Sequence, residues 1–422
     1  MSATKPSVLV YNPISGHGHL DSWNAIFVAQ LLERGWTVNA LTPDVPALMS
    51  RLSLKGLAGS PRLRVLEWKA LRAIDMKPKY SLGERWARMF EPGAKRDCRP
   101  NCSAEAAAPD PEENYFAPAE FAARVNAAIR KAAVKPAVVF NMYMDMYKTD
   151  AESWGRFSQL EPLPWAGIRF VPREVPSEGY YRQPSLLGMC LLDEGACRTY
   201  GGLIRDKRFE YLPDVTDVGL PAEASALAEE IRRRADGRKI VFLGGSIGGQ
   251  KNLSRWYEVI ELADRSRWFF VQIGELHKGT FTAEDDAVFR KTMADPPENF
   301  FIKAEYLPDE VAFNEIIKLS DVLFAVYRDF KISSNMLCKA ASFEKPILAS
   351  DRYLMGERVN RYKIGVAVAE DSADAILAGL HRLADNPIAR ENFLEFRRHF
   401  SQEALAERLD DFLMKCLHSR VS

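Results

Sequence analysis

The sequence is poor in histidine and has no excess of either charge. Its 422 residues include six histidines, and 57 Lys or Arg residues balance 57 Asp or Glu residues. A dedicated nucleic-acid binder usually carries a basic excess, so this balance argues against nucleic acid as a partner. The chain also has no uncharged apolar run of about 18 residues, which argues against a membrane-spanning helix.

No apolar leader precedes the first predicted strand. We therefore expect a cytoplasmic protein, and a position at the inner face of the membrane stays open. The six cysteines are then expected to be reduced thiols. Cys98 and Cys102 would need two further ligands to bind a metal, and no histidine lies near them in the sequence. Because no Asp-x-Asp pair is evident either, we predict a protein that uses no metal ion and no cofactor.

Strand-like apolar runs alternate with helical patterns twice along the chain, which predicts an α/β protein with two doubly wound domains. The first set of predicted strands is Val8–Tyr11, Val38–Thr42, Leu63–Leu66, Ala137–Tyr143 and Ala166–Val171. The second set is Ile240–Leu243, Phe269–Ile273, Phe300–Lys303, Val322–Val326, Ile347–Ala349 and Val366–Val368. The proline-containing stretch Leu212–Pro221 is the predicted linker between the two.

The first candidate site is the turn that follows the first predicted strand. Gly16 and Gly18 allow a tight turn, and the next helix presents N–H groups that suit a phosphate. His17 and His19 lie in the same turn, where each is a candidate general base or hydrogen-bond donor; surface histidines are the alternative. A dinucleotide fingerprint is a rival interpretation, but Asp21 occupies its third glycine position.

The second candidate site is the glycine-rich turn that follows the strand ending at Leu243. Its glycines expose backbone N–H groups, and Lys251 adds a positive charge that suits a phosphate. The glycines are Gly244, Gly245, Gly248 and Gly249. The P-loop pattern is absent. An ordinary strand-to-helix turn is the alternative.

A third candidate site follows the strand ending at Val326. Ser333, Ser334 and Asn335 are good N-cap residues, so they predict the start of a helix with available amides. Arg328 and Lys331 lie just before it in the sequence. A second anion site is the functional interpretation, and ordinary capping beside exposed charges is the alternative.

Residues 51–99 are rich in positive charge. They include thirteen Lys or Arg residues against five Asp or Glu residues, with aromatic residues interleaved. A docking surface for an acidic acceptor or for peripheral contact with an anionic membrane is one interpretation. A solvated face with ordinary core aromatics is the other.

The segment from about residue 239 to 416 resembles the GT-B-fold glycosyltransferases, specifically the large retaining group called family 4. In that family a lysine six residues after a glycine contacts the donor diphosphate, and Gly245 and Lys251 match this spacing. A later strand ends in a glycine, matched by Gly274. Tyr306 and Leu307 resemble the part of the family that lies along the nucleotide base.

The resemblance implies two Rossmann-like domains that face a cleft. Residues 1–212 would form the acceptor-binding domain and residues 222–398 the nucleotide-sugar-binding domain. Residues 399–422 would pack back on the first domain. The match in the first domain is mainly Val8–Asp44.

Three features depart from the family pattern. Its Glu-x7-Glu acids, which contact the donor sugar and ribose, are replaced by Lys331 and Lys339. The arginine of the phosphate loop is replaced by Ser246. Residues 141–145, which include Asp145, stand where the family has a histidine. Lysines in place of the acids suggest a more acidic donor, or equally a loss of activity.

We predict a glycosyltransferase that moves a sugar from a nucleotide-diphosphate donor to a saccharide or lipid-linked acceptor, with retention and without a metal ion. If the reaction inverts, His17, His19 and Asp145 are the candidate bases. The predicted donor-binding residues are Gly16, Gly18, Gly245, Ser246, Gly248, Gly249, Lys251, Gly274, Tyr306, Leu307, Arg328, Lys331, Ser333, Ser334, Asn335 and Lys339. A non-catalytic partner of the same fold and a nucleotide-sugar 2-epimerase are the alternatives.

Overall fold

The structure is a computed structural model that describes residues 5–16, 20–68, 115–131, 135–158, 163–307 and 310–418. Within these ranges the chain forms two parallel β-sheets with helices between the strands. The fold is therefore α/β with two Rossmann-like domains, which confirms the predicted fold class. Each predicted strand overlaps an observed one.

The first sheet has seven strands, and all neighbouring pairs are parallel. They are β1 (Ser7–Tyr11), β2 (Thr37–Thr42), β3 (Leu63–Glu67), β4 (Val138–Asn141), β5 (Trp165–Arg169), β6 (Leu186–Leu191) and β7 (Arg208–Tyr211). Their spatial order is β3-β2-β1-β4-β5-β6-β7. The order reverses between β1 and β4, and ligands of open α/β sheets bind at such a point.

The second sheet has six parallel strands. They are β8 (Lys239–Gly244), β9 (Trp268–Ile273), β10 (Phe300–Lys303), β11 (Val322–Ala325), β12 (Ile347–Ser350) and β13 (Gly365–Val368). Their spatial order is β10-β9-β8-β11-β12-β13, with the reversal between β8 and β11.

The described helices follow the strands along the chain. In the first half they are α1 (Leu20–Glu33), α2 (Val45–Leu54), α3 (Pro118–Lys131), α4 (Ala151–Ser158) and α5 (Glu194–Leu203). In the second half they are α6 (Ala226–Ala235), α7 (Leu253–Leu262), α8 (Ala283–Ala294), α9 (Glu310–Leu319), α10 (Asn335–Ser342), α11 (Tyr353–Tyr362), α12 (Ala373–Asp385), α13 (Arg390–His399) and α14 (Gln402–His418). None of these described helices is long and apolar enough to cross a membrane.

Strand β1 shows why the apolar runs predict strands correctly. Val8 and Val10 belong to one hydrophobic cluster, whereas Leu9 and Tyr11 belong to another. Successive side chains of a strand point to opposite faces of the sheet, so both faces of this strand are buried. A strand buried on both faces needs a continuous apolar run.

The sequence pattern misses β6 and β7. In β6, Gly188 interrupts the apolar run, and an added Cβ there would lie 2.4 Å from the carbonyl oxygen of Arg208 and 3.0 Å from the Phe412 ring. The glycine therefore permits the close approach of β7 and α14. Strand β7 is only partly buried over most of its length, which leaves a weak apolar signal.

The last helix, α14, packs on the first sheet rather than on the second. Leu409 and Phe412 share a hydrophobic cluster with side chains of α1 and β1. The Asp410 carboxylate accepts a hydrogen bond from Trp36 Nε1 at 2.8 Å and pairs with Lys5. The chain therefore returns to its first half after completing the second sheet.

Candidate functional site

A cavity of about 230 Å³ lies between the two sheets, at the carboxyl ends of their strands. Ile14, Met146 and Phe170 line it from loops that follow β1, β4 and β5. Gly244 and Ile273, the last residues of β8 and β9, line it from the second sheet. Carboxyl ends of parallel strands are where open α/β sheets bind ligands.

Two glycine turns of the second sheet meet at this cavity. Gly245 has a φ of 97° and donates its N–H to the carbonyl oxygen of Ile273. Gly274 has a φ of 152°, and a Cβ at this position would lie 1.7 Å from the carbonyl oxygen of Gly245. A side chain at residue 274 is therefore sterically excluded, whereas at residue 245 the positive φ is what favours glycine.

Lys251 lines the cavity from a short 3₁₀ turn, Gly249–Lys251, that follows the glycine loop. The residue is 9% exposed, and its Nζ lies 3.9 Å from the centroid of the Tyr327 ring. No ion pair joins Lys251 to a carboxylate of the described residues. A buried ammonium group without a carboxylate partner favours an anionic ligand.

Three cavity-lining residues each carry a buried oxygen that has no hydrogen-bond partner among the described residues. They are Ser246, Gln250 and Tyr327. An unsatisfied buried polar group costs about 1–3 kcal/mol. A polar ligand that supplies partners would recover this free energy.

Lys339 is the second lysine of the cavity, but its charge is paired. Its Nζ contacts Glu310 Oε1 at 2.5 Å and donates to Asn314 Oδ1 at 2.6 Å, and the side chain is 1% exposed. Glu310 also lines the cavity. The pair therefore places both a carboxylate and an ammonium group beside the ligand space without a large net charge.

Asp214 lines the cavity from the segment between the two sheets. Its Oδ2 accepts a hydrogen bond from Ser333 Oγ at 2.9 Å. Burial raises the pKa of Asp214 to about 6, although the Ser333 hydrogen bond and the charge of Arg358 lower it. Desolvation therefore dominates at this carboxyl group.

The raised pKa of Asp214 predicts a specific pH dependence of stability. Between about pH 4 and pH 6 the folded state holds a proton on Asp214 that the unfolded state has released, so the free energy of unfolding falls as pH rises. Relative to the Asp214→Asn variant, we expect the wild-type free energy of unfolding to fall by about 2 kcal/mol between pH 4 and pH 7. Urea denaturation of both proteins at each pH measures the free energy of unfolding.

Asp206→Asn, at an exposed aspartate, is the matched control for this titration. It should leave the pH dependence of the wild type in place. Parallel stability curves for the wild type and Asp214→Asn would contradict the raised pKa.

Arg358 connects the two halves of the molecule at the same place. Its Nη2 donates to the carbonyl oxygen of Leu192 at 2.9 Å and contacts Glu194 Oε2 at 3.2 Å. Its Nη1 donates to Ser333 Oγ at 2.7 Å. The guanidinium is 3% exposed and lies 4.7 Å from the Phe400 ring centroid.

Removing the Arg358 guanidinium should therefore destabilise the fold. Arg358→Ala leaves the Leu192 carbonyl and Ser333 Oγ without their donor, and a buried polar group that loses its partner costs about 1–3 kcal/mol. Arg361→Ala, in the exposed face of the same helix, should change stability by less than about 0.5 kcal/mol. Equal effects of the two variants in urea denaturation would contradict this role of Arg358.

The structure brings most of the predicted donor-binding residues of the second domain to one cavity. The predicted residues that line it are Gly245, Ser246, Lys251, Gly274, Tyr306, Leu307, Ser333, Ser334, Asn335 and Lys339. Ser334 caps α10, since its side chain accepts a hydrogen bond from the N–H of Met336. The predicted helix start at these residues is confirmed.

Three of the other predicted glycines, Gly16, Gly248 and Gly249, do not line the cavity. Gly248 and Gly249 lie in the loop beside it, and a Cβ on Gly249 would lie 2.2 Å from the carbonyl oxygen of Thr280. Gly16 has a φ of 98° and donates its N–H to Asp21 Oδ2. His17, Gly18 and His19 lie outside the described residues.

Arg328 and Lys331, the two cations predicted at the third candidate site, do not face the cavity. The Arg328 guanidinium donates to both carboxylate oxygens of Asp285, at 2.9 and 3.1 Å, and to Ser254 Oγ. The backbone N–H of Arg328 donates to the carbonyl oxygen of Gln250. Arg328 therefore holds in place the turn that carries Lys251. Lys331 is exposed and lies 5.7 Å from the Tyr353 ring centroid. Neither residue lines the cavity.

Asp145, a predicted catalytic residue, binds backbone N–H groups beside the cavity. Its carboxylate accepts hydrogen bonds from the N–H groups of Phe170 at 2.8 Å and Val171 at 2.9 Å. Burial raises its pKa, opposed by Arg169 and these two bonds. Asp145 does not line the cavity, so it holds Phe170 rather than facing a ligand.

Sequence reasoning missed six polar residues that line the cavity: Asp214, Gln250, Glu275, His277, Glu310 and Tyr327. Asp214 lies in the predicted linker, and a segment that joins two facing sheets must pass beside their shared cleft. The sequence did contain an indication of Glu310. Lys339 lies within an apolar helix face, and a lysine buried there needs a carboxylate nearby.

Only part of the basic segment 51–99 falls within the described residues. Arg51, Lys55, Arg62 and Arg64 are described, and residues 69–99 lie outside the described ranges. Arg62 and Arg64 each donate to a backbone carbonyl oxygen, of Leu32 and Lys131. The membrane interpretation of this segment stays a prediction. Cys98 and Cys102 also lie outside the described residues.

No family model matches the sequence, and no curated protein matches it either. Solved structures do match in fold over nearly the whole chain. A sucrose-phosphate synthase from Thermosynechococcus elongatus is 11% identical, with 98% of this chain and 100% of that chain covered and a TM-score of 0.62. An E. coli trehalose-6-phosphate structure bound with UDP-2-fluoro glucose is 11% identical, with 97% and 99% covered and a TM-score of 0.63.

The Anabaena protein HepE, in complex with UDP and glucose, is 8% identical, with 97% of this chain and 100% of that chain covered and a TM-score of 0.59. At these identities the likeness establishes the architecture alone. The chain has the GT-B fold, with two Rossmann-like domains that face a cleft. The more specific resemblance to family 4 stays a prediction.

Proposed function

We propose that the protein transfers a sugar from a nucleotide-diphosphate donor to a saccharide or lipid-linked acceptor. The observation that carries this proposal is the buried Lys251, which faces the interdomain cavity beside two abutting glycine turns and has no carboxylate partner among the described residues. Retention of configuration and independence of metal ions are part of the proposal. The resemblance to retaining family 4 supports retention, and the lack of an Asp-x-Asp pair in the sequence supports metal independence.

The donor diphosphate would lie against Gly245, Ser246 and Lys251. Negative charge develops on the leaving diphosphate in the transition state, so a fixed ammonium group there lowers the barrier. A hydrogen bond from the Ser246 hydroxyl, which has no partner among the described residues, to a phosphate oxygen adds to this stabilisation. The glycine turns keep side chains away from the same space.

The nucleoside would extend along Tyr306 and Leu307, which line the same cavity as Phe313. The Lys339–Glu310 pair offers a carboxylate acceptor for hydroxyl groups and an ammonium donor. This pair is our proposed replacement for the acids that family 4 places here, with Glu310 supplied by α9 rather than by the helix that carries Lys339.

A donor screen by mass spectrometry tests the proposed function. Purified protein is incubated with UDP-, GDP- and ADP-sugars and a mixture of saccharide and lipid-linked acceptors. We expect release of one nucleoside diphosphate together with a glycosylated product. Nucleotide binding without release would support the non-catalytic alternative, and conversion of a donor without any acceptor would support the epimerase.

A further inference from the structure

The first domain presents an apolar wall to the cavity. The wall consists of Ile14, Leu20, Met146, Phe170 and Leu192. All five side chains are at most 5% exposed and belong to a single hydrophobic cluster of this domain. The cavity is therefore bounded on one side by the edge of a hydrophobic core.

This wall is held rigidly. The Phe170 ring stacks on Tyr143 with their centroids 5.4 Å apart, and the Phe170 N–H is bound by Asp145. The Tyr143 hydroxyl donates to the carbonyl oxygen of Leu20 at 2.9 Å. Because these bonds fix two wall residues from behind, the surface is formed before a ligand arrives.

The charged side chains that line the cavity lie elsewhere. Among the described residues they come from the interdomain segment and the second domain: Asp214, Lys251, Glu275, Glu310 and Lys339. Asp214 lies between Leu212 and Val215 in the sequence, and both of these belong to the same hydrophobic cluster as the wall. The charged residue that follows this cluster along the chain is therefore an acid and not a cation. The described residues of the first domain bring no cation to this wall, so a phosphate group against it would lose its hydration without gaining a cationic partner from them.

We propose that the acceptor is an uncharged alcohol with an apolar skeleton, and that this skeleton packs against the wall of Ile14, Leu20, Met146, Phe170 and Leu192. The inference rests on the proposed sugar transfer and narrows its acceptor to a class that excludes sugar phosphates. In the reaction, the bond between the anomeric carbon and the phosphate oxygen breaks and its electron pair leaves with the diphosphate. The acceptor oxygen bonds to the anomeric carbon, and its proton passes to the released diphosphate.

Three probes separate this proposal from its alternatives: hexyl β-D-glucoside, methyl β-D-glucoside and glucose 6-phosphate. Calorimetric titrations measure their dissociation constants in the presence and absence of UDP or GDP. We expect hexyl glucoside to bind at least roughly tenfold more tightly than methyl glucoside, because its chain buries several methylene groups. Glucose 6-phosphate should bind most weakly of the three.

Two isoleucine variants locate the binding surface. Ile14→Ala removes apolar contact from the wall and should weaken hexyl glucoside binding by roughly fivefold or more. Ile26→Ala loses the same groups from the same hydrophobic cluster, away from the cavity, and should leave that binding unchanged. UDP or GDP binding should be the same in both variants.

Equal binding of the hexyl and methyl glucosides would overturn the proposal, as would tightest binding of glucose 6-phosphate. Equal losses in Ile14→Ala and Ile26→Ala would also overturn it, since the effect would then be a general loss of packing. Failure of both nucleotides to bind, with the glucoside preference intact, would instead count against the sugar-transfer proposal.

Discussion

Lys251→Ala should weaken the binding of the donor nucleotide by roughly thirtyfold, because a hydrogen bond to a charged group contributes about 2 kcal/mol. The side chain is largely buried, lines the interdomain cavity, and has no carboxylate partner among the described residues. Its charge is therefore available to a ligand phosphate, unlike that of Lys339, which pairs with Glu310. Calorimetric titration with UDP and GDP measures the loss.

Lys291→Ala is the matched control, since this lysine is 72% exposed and lies on the surface of α8. It should bind the nucleotide as the wild type does. Unchanged affinity in Lys251→Ala, with the protein still folded by circular dichroism, would mean that Lys251 does not contact the diphosphate.

Gly274→Ala should disrupt the same site by a steric route. The new methyl group would lie 1.7 Å from the carbonyl oxygen of Gly245, at a φ of 152° that side chains rarely adopt. One of the two turns must move, so we expect stability to fall by about 3 kcal/mol or more. Nucleotide binding should be lost as well, because Gly245 lines the cavity. Urea denaturation and calorimetry measure the two effects.

Gly279→Ala provides the comparison for this variant. A Cβ at Gly279 meets nothing within 4 Å, so its effect on stability should stay within about 0.5 kcal/mol. A Gly274→Ala protein as stable as Gly279→Ala, with unchanged nucleotide affinity, would show that the contact between the two turns is not required.

The fold was predictable because both sheets are parallel and largely buried. Runs such as Val8–Tyr11 and Ile240–Leu243 are continuously apolar, since their side chains enter the core on either face. Glycines at the ends of strands were equally informative. Gly245 and Gly274 mark the two places where backbone turns meet, and both line the cavity.

The two strands that the sequence did not predict, β6 and β7, lie at one edge of the first sheet. Gly188 breaks the pattern of β6 for a reason that only the packed structure provides, namely the approach of Arg208 and Phe412. Propensity treats this glycine as a turn signal. Its actual role is to let a neighbouring strand and helix come close.

Side-chain partners were the least predictable part of the site. Arg328 and Lys331 both follow β11 and look alike in the sequence, yet Arg328 is bound to Asp285 and Lys331 is exposed. Asp285 lies 43 residues before Arg328. No local pattern connects them, because Asp285 lies in α8 and Arg328 in the loop after β11, and the order of the strands in the sheet brings these two segments together.

The most direct test of a diphosphate site beside Lys251 is a crystal structure of the protein with a nucleoside diphosphate bound. We expect a phosphate oxygen within hydrogen-bond distance of Lys251 Nζ, with the phosphates between the turns of Gly245 and Gly274. A nucleotide bound outside the interdomain cavity, or one inside it whose phosphates face the apolar wall, would contradict this account.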